Sequence, residues 1–335
     1  MDGFELNDFN KRIGLDTDLE NISREICESY KLGEFISNEL IKIGYEDFNY
    51  YLTTGLGKYF VKIFNKSRSK KDLDAYLDRI RAITRERERE SLSTPKALLI
   101  NDDIVYRLDF KDNHYDICVF ECVEGENYFE LGEKPDIKIL KQLAKETALI
   151  NKMDFKPEFI YDTWAIINFE KEYEKKRKYL PDEHKSEFDS LLNEFRQVDI
   201  DKLPKAFVHG DIITTNIIKG AGSKIWIVDF AVSNYLPRII DLAVIACNPC
   251  LDENSCENTV ERIKVFLNEY NKYNQLTPYE LEVFWIFYKL ANVMHILSPI
   301  FIAKTEGDSE ENRYWLNEGM VGYSYADAVR KLKMV

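Results

Sequence analysis

The stretch Phe207–Phe230, FVHGDIITTNIIKGAGSKIWIVDF, constrains this chain more than any other, because it sets a His, two Asp and an Asn between short apolar runs. AFVH is predicted as a short buried strand, TTNII as a turn into a second strand, GAGS as a hairpin turn and KIWIVDF as a third, β-branched strand. The polar residues His209, Asp211, Asn216 and Asp229 then fall on loops at strand ends, where a rigid scaffold can aim them.

Asp211 and Asn216 are five residues apart and Asp229 arrives after the hairpin, so two carboxylates and one amide oxygen can converge on one spot. Hard oxygen ligands of this kind suit magnesium carrying nucleotide phosphates. The spacing H-x-D-x-x-x-x-N, followed by a strand ending in Asp-Phe, is the catalytic-loop and metal-Asp layout of kinases. His209 and Asp211 are therefore the candidate catalytic pair: Asp211 would accept the proton of an attacking hydroxyl, while Asn216 and Asp229 would hold the metal. A lone H-x-D or D-F would suggest only turn caps. The ordered set of four favours the kinase reading.

A chain of 335 residues with 45% hydrophobic side chains can bury a sizeable core and divide into two lobes. No uninterrupted run of about eighteen apolar residues occurs, and MDGFELNDFNKRIGLD lacks a basic-then-apolar leader, so a cytoplasmic, non-membrane protein is the expectation. The net charge of -13 argues against nucleic acid as a partner. Among the cysteines, only Cys247 and Cys250 make a C-x-x-C pair, and without a second pair or a thioredoxin-like context all six read as reduced, mostly buried thiols. Metal binding by Cys247, Cys250 and Cys256 is the lesser alternative.

Residues 1 to about 43, including ENISREICESY and LGEFISNELIKI, show helical steps. GYEDFNYYLTTGLGKYFVKIF follows as a hairpin turning around Thr54–Gly57, which puts Lys62 inside its second strand. A strand-interior Lys is usually an edge residue, but in a kinase this position holds nucleotide phosphates. A helix over 71–90 offers Asp74 or Asp78 as a partner for Lys62. ALLINDDIVYRLDF and HYDICVFECV read as further strands, for four or five in all. ECVEGENYF reads as the crossing between lobes, where backbone groups of Glu121–Val123 would meet the adenine and Gly125 would allow a sharp turn. Helices are expected over 137–152, 169–178, 183–198, 258–274 and 277–302, the last starting at Thr277-Pro278-x-Glu280.

With HGD-x-x-x-x-N at His209–Asn216, I-V-D-F at Ile227–Phe230 and R-x-x-D-L-A at Arg238–Ala243, the chain resembles the aminoglycoside phosphotransferase and choline kinase superfamily. Within it, YKLGEF, GYEDFNYYLTT, GKYFVKIF and FLNEYNKYNQLTPYEL resemble the homoserine kinase-like branch. The resemblance implies an α+β, two-lobed protein-kinase-like fold: an antiparallel-sheet N-terminal lobe over 1–120, a hinge over 121–127 and a mainly helical lobe over 128–335. It implies ATP and Mg as cofactors and a small-molecule hydroxyl as acceptor. Gly44, Glu46 and Asn49 would form the nucleotide-covering turn with Lys62, Glu121 and Val123 nearby, and Asp241 would support the catalytic loop.

Asp47, Ala231 and Asn151 depart from the branch, standing where Asn, Gly and His are common. A homoserine-like acceptor is the first expectation, with Arg238, Arg313, Glu280 or Asp162 to bind its carboxylate and amine. The alternative is an amino alcohol, amino sugar or aminoglycoside, held by Asp252, Glu253, Glu257 and Glu261 or, for a quaternary amine, by Trp285 or Tyr288 from the run Phe284–Tyr288. A non-catalytic nucleotide-binding scaffold is a reading of another class.

Overall fold

The computed structural model describes residues 19–41, 47–90, 92–111 and 113–332. The chain divides into two compact units, Met1–Glu124 and Gly125–Val335.

The first unit is built on a five-stranded antiparallel sheet. Helix α1 (Leu19–Tyr30) precedes β1 (Phe35–Leu40), β2 (Phe48–Thr54) and β3 (Gly57–Ile63); α2 (Lys70–Glu90), β4 (Val105–Phe110) and β5 (Asn113–Glu121) follow, in the sheet order β1-β2-β3-β5-β4. Alternation along β2 buries Phe48, Tyr50 and Leu52 with Val61, Ile63, Ile117 and Val119, the period-2 pattern of a sheet with one face on a core. Ile22 and Ile26 of α1 close that core, and the Ser23 hydroxyl donates to Asn38 Oδ1 at 2.9 Å while hydrogen-bonding the Tyr50 hydroxyl at 3.0 Å.

One expectation fails here. Within LGEFISNELIKI, whose apolar residues fall at helical steps, Phe35–Leu40 form the edge strand β1, paired from Phe35↔Thr54 to Leu40↔Tyr50 with a register shift between Phe35 and Ser37. A short amphipathic run fits either period. The open edge of β2 supplies the backbone partners that decide it.

The second unit is mainly helical. Its short strands are β6 (Glu126–Asn127), β7 (Lys205–Val208), β8 (Ile217–Lys219), β9 (Ile225–Ile227) and β10 (Asn234–Pro237), arranged as β10-β7 and β6-β8-β9. Its helices are α3 (Ile137–Ile150), α4 (Phe169–Lys176), α5 (Asp182–Arg196), α6 (Ile239–Cys247), α7 (Cys256–Tyr273), α8 (Pro278–Thr305), α9 (Glu310–Ser324) and α10 (Ala326–Arg330). Thr277 and Glu280 form a reciprocal capping box at the start of α8, satisfying two otherwise orphaned donors. By length and composition α8 could cross a bilayer, yet it packs against α6, α9 and α10, and Phe287, Tyr288, Leu290 and Val293 on it are wholly buried. It is the core helix of this unit.

Two glycines are dictated by space. A Cβ on Gly125, at φ +134°, would stand 2.2 Å from the Lys219 carbonyl oxygen, and one on Gly322 of α9 would stand 1.9 Å from Asn292 Oδ1 of α8. Gly322 thus sets how closely α9 lies on α8.

Candidate functional site

In the first unit, Lys62 and Asn49 are cross-strand partners on β3 and β2. Lys62 Nζ lies 3.6 Å from Asp47 Oδ2, a carboxylate shared with Arg68 Nη2 at 3.0 Å, and 5.3 Å from the Tyr76 ring centre. The pairing with Asp74 or Asp78 does not occur in this form: both are exposed, and Asp78 pairs with Arg81 at 2.9 Å. Helix α2 turns Ala75, Tyr76, Arg79 and Ile80 inward, so Asp74 and Asp78 fall on the solvated side. The departure at Asp47 therefore supplies Lys62 with an anionic neighbour. Asn49 Oδ1 is buried without a hydrogen-bond partner. At the end of β5, the Glu121 N–H donates to the Lys96 carbonyl and its carboxylate pairs with Arg87 at 2.8 Å. The Val123 carbonyl accepts the Cys122 thiol at 3.8 Å. Gly44 and Glu46 lie outside the described residues.

In the second unit, β7 ends at Val208 and delivers His209, Gly210 and Asp211 into a loop that closes through a 3-10 turn, Thr214–Asn216, onto β8. Asn216 Nδ2 donates to the Asp211 carbonyl at 2.9 Å and to Asp211 Oδ2 at 2.7 Å, which turns Asn216 Oδ1 away from that carboxylate. Strand β9 stops three residues short of the end of the expected run: the Val228 N–H turns to the Asn216 carbonyl, and Asp229 adopts a left-handed φ of 64°. That conformation is uncommon for a non-glycine residue and concentrates at functional sites. Asp229 is exposed, and its Oδ1 accepts the Ala231 N–H at 3.2 Å.

His209 is wholly buried. Its Nε2–H donates to the Val228 carbonyl at 3.1 Å and its Nδ1 accepts the Asp211 N–H at 3.2 Å, which fixes the neutral tautomer. Burial lowers its pKa to about 4. The ring, 4.4 Å from that of Phe230, ties the Asp211 loop to the Asp229 loop. Its place is that of a positioning residue, since both nitrogens are spent on the backbone.

Asp241, buried in α6, accepts the His209 N–H at 3.1 Å, the Gly210 N–H at 2.8 Å and Asn151 Nδ2 at 2.8 Å. Asn151 also donates to the Phe207 carbonyl and accepts the Tyr270 hydroxyl. The departure at Asn151 therefore belongs to the support of the catalytic loop.

Burial raises Asp211 to about 7, with the charges of Asp162 and Asp229 adding to the shift and the Asn216 hydrogen bond opposing it. Among the described residues no group of three or more His, Cys, Asp or Glu could hold a metal. The donor set fits a divalent cation that takes only one or two protein oxygens and completes its shell with phosphates and water. Asn216 Oδ1 and Asp229 are the oxygens that could serve as such donors.

Several candidates are committed elsewhere. Arg238 and Glu280 are buried against each other in a bidentate pair, Nε–Oε1 2.7 Å and Nη2–Oε2 2.8 Å, so neither can bind an acceptor. Arg313 pairs with Asp308 at an exposed position. Asp252 organises the entry to α7, accepting the Asn254 N–H and Asn258 Nδ2, and Glu253 bonds Asn317 at the surface. Phe284, Phe287 and Tyr288 are core, and Trp285 is covered by Arg330 at 4.4 Å and Lys289 at 5.3 Å. Burial raises the Cys250 thiol to about 12, and Cys247 is raised too, as expected of inert buried thiols. One residue of an aromatic series from other segments borders the Asp211 loop instead. Phe129 donates its N–H to the Thr214 carbonyl and stacks on Trp315, which neighbours His295, itself beside Trp164. No periodicity marked this series, because its members come from four separate segments.

The strand lysine of the first unit and, in the second, the loops that carry Asp211, Asn216 and Asp229 hold the residue types that a phosphotransferase of the kinase type uses. The chain belongs to the phosphotransferase enzyme family, whose model matches residues 38–276, and is a small-molecule phosphotransferase acting on hydroxyl groups. It is 23% identical over 256 residues to a homoserine kinase from Methylobacillus flagellatus, covering 76% of each chain. Its fold is shared with an amicoumacin kinase in complex with AMP-PNP, Ca2+ and Ami (17% identity, 98% of each chain, TM-score 0.67). It is also shared with a microcompartment-associated aminopropanol kinase (15% identity, 95% of this chain and 100% of the other, TM-score 0.63) and with a choline kinase from Streptococcus pneumoniae (14%, 92% and 99%, TM-score 0.60).

Proposed function

We propose that the protein transfers the γ-phosphoryl group of ATP, with Mg, to a hydroxyl of a small metabolite that also carries an amine. The observation that carries this reading is the loop in which Asp211 Oδ2 is oriented by Asn216 while Asp162 and Asp229 add negative charge around it. The acceptor oxygen attacks the γ-phosphorus, the bond from that phosphorus to the β,γ-bridging oxygen breaks, ADP leaves, and the hydroxyl proton passes to Asp211. Lys62 carries its charge against the nucleotide phosphates, with backbone groups of Glu121–Val123 on the adenine. The metal, held by Asn216 and Asp229, would offset the charge of the transferring group.

Asp162 is the acid for the amine. It is half-buried, its Oδ1 accepts the Trp164 N–H at 3.0 Å, and its charge acts on Asp211. The homoserine kinase match favours a second reading, a homoserine-like amino acid. The commitment of Arg238 to Glu280 and of Arg313 to Asp308 leaves a carboxylate without either expected cation, so an amino alcohol or amino sugar ranks first.

The test is magnesium-dependent ADP release across homoserine, choline, ethanolamine, amino sugars, aminoglycosides and methylthioribose, with Asp211→Ala alongside. An acceptor that stimulates the wild type by at least about tenfold but not the variant is expected, since loss of a general base costs about 10²–10⁴-fold. Wild-type turnover in Asp211→Ala would overturn the assignment. ATP binding without transfer to any acceptor would point to a scaffold.

A further inference from the structure

The catalytic loop is held at two ends, and of the two anchors only Asp241 belongs to one of the sequence motifs. The His209–Gly210 end hangs on Asp241. At the other end the Thr214 N–H donates to Asn248 Oδ1 at 2.7 Å. Asn248 is wholly buried just after α6, and its Nδ2 donates to Glu318 of α9, a wholly buried carboxylate. Glu318 also takes Lys134 Nζ and, at 2.7 Å, the Tyr314 hydroxyl. Lys134 reaches the Asn248 carbonyl as well, at 3.1 Å. A buried charge is retained only where it is paired and hydrogen-bonded, and here every donor of the set points toward the loop's support.

We propose that Asn248 and Glu318 are positioning residues for phosphoryl transfer: α9, through the chain Lys134/Tyr314–Glu318–Asn248–Thr214, sets the turn that places Asn216 and thereby the metal. The proposal rests on the kinase reading for its catalytic consequence, while its structural half stands apart from it. The polarity of the chain is defined. Asn248 must present an acceptor to Thr214 and a donor to Glu318, and Glu318 must accept from Asn248, Lys134 and Tyr314.

That polarity supplies the experiment. Asn248→Ala removes both contacts, Asn248→Asp faces Glu318 with a second carboxylate, and Glu318→Gln removes the anion from Lys134. In the double variant Asn248→Asp/Glu318→Gln the new carboxylate accepts from Thr214 and from the new amide, whose oxygen takes Lys134 and Tyr314, and total charge is unchanged. The measurements on the full chain are steady-state ADP release, half-saturating magnesium, KM for ATP, and hydrogen exchange of the Thr214 amide.

For Asn248→Ala and Asn248→Asp the expected result is a fall in turnover and a rise in half-saturating magnesium, each of about 10–100-fold as for residues that orient metal ligands, with KM for ATP within about twofold. Thr214 exchange should accelerate by at least about tenfold, and the double variant should recover most of each loss. A folded Asn248→Ala enzyme with wild-type turnover and magnesium dependence overturns the proposal, as does a folded double variant no better than its single parents. Where single variants do not fold, fast Thr214 exchange in the wild type overturns it and slow exchange supports it. If the wild type transfers no phosphoryl group, the kinase reading fails, and Thr214 exchange alone decides the role of Asn248.

Discussion

Truncating either member of the Arg238–Glu280 pair should destabilise the second unit without touching acceptor recognition. Arg238 is 7% and Glu280 1% exposed. The guanidinium makes two bonds to the carboxylate, one to Asn274 Oδ1 and one to the Gln275 carbonyl at 2.6 Å, and the carboxylate also takes the Thr277 N–H at 2.7 Å. Glu280→Ala thus strands a buried cation and breaks the capping box of the core helix. Removing one partner of a buried pair costs about 3–5 kcal/mol. For a unit of this size about 2–4 °C is lost per kcal/mol, so the melting temperature should fall by about 10 °C. Arg238→Met/Glu280→Leu should recover much of this, because the cost is an uncompensated charge rather than a lost attraction. The assay is thermal unfolding beside acceptor KM. A melting shift below about 2 °C, well under the fall expected for an uncompensated buried charge, together with a raised acceptor KM, would instead place the pair in the binding site.

Two further outcomes follow from distances. Gly322→Ala sets a Cβ 1.9 Å from Asn292 Oδ1 and should cost about 1–3 kcal/mol by overpacking, read as a lowered midpoint in urea unfolding with an unchanged slope. Asp229→Ala should raise half-saturating magnesium in the ADP-release assay by at least about tenfold, while metal-free nucleotide binding, measured by calorimetry, stays near wild type.

The legible parts of this protein are those governed by local chemistry. The 54–57 hairpin, the capped start of α8 and the three short strands around HGDIITTN and IVDF follow from turn residues, caps and β-branched runs, which act within a few residues. The family resemblance rested on the same segments, since phosphoryl transfer needs hard oxygen groups at fixed spacing on a loop. The catalytic roles of Asp211, Asn216 and Asp229 and the nucleotide role of Lys62 remain proposals for the assays above.

Pairings between segments distant in sequence are set by packing and carry no local signal. Phe35–Leu40 became a strand because β2 offered an edge, against a helical period of its own. Arg238 was available to a substrate on sequence grounds until Glu280, 42 residues later, was found against it. Asn248 sits in CNPC, where the thiols carry the only local signal, and Glu318 sits in a helix with no marked polar pattern. Their partners are 34 and 70 residues apart in sequence. A side chain's local spacing carries its propensity, whereas its partner is set by packing, and burial then decides whether a charged residue belongs to the framework or faces a substrate.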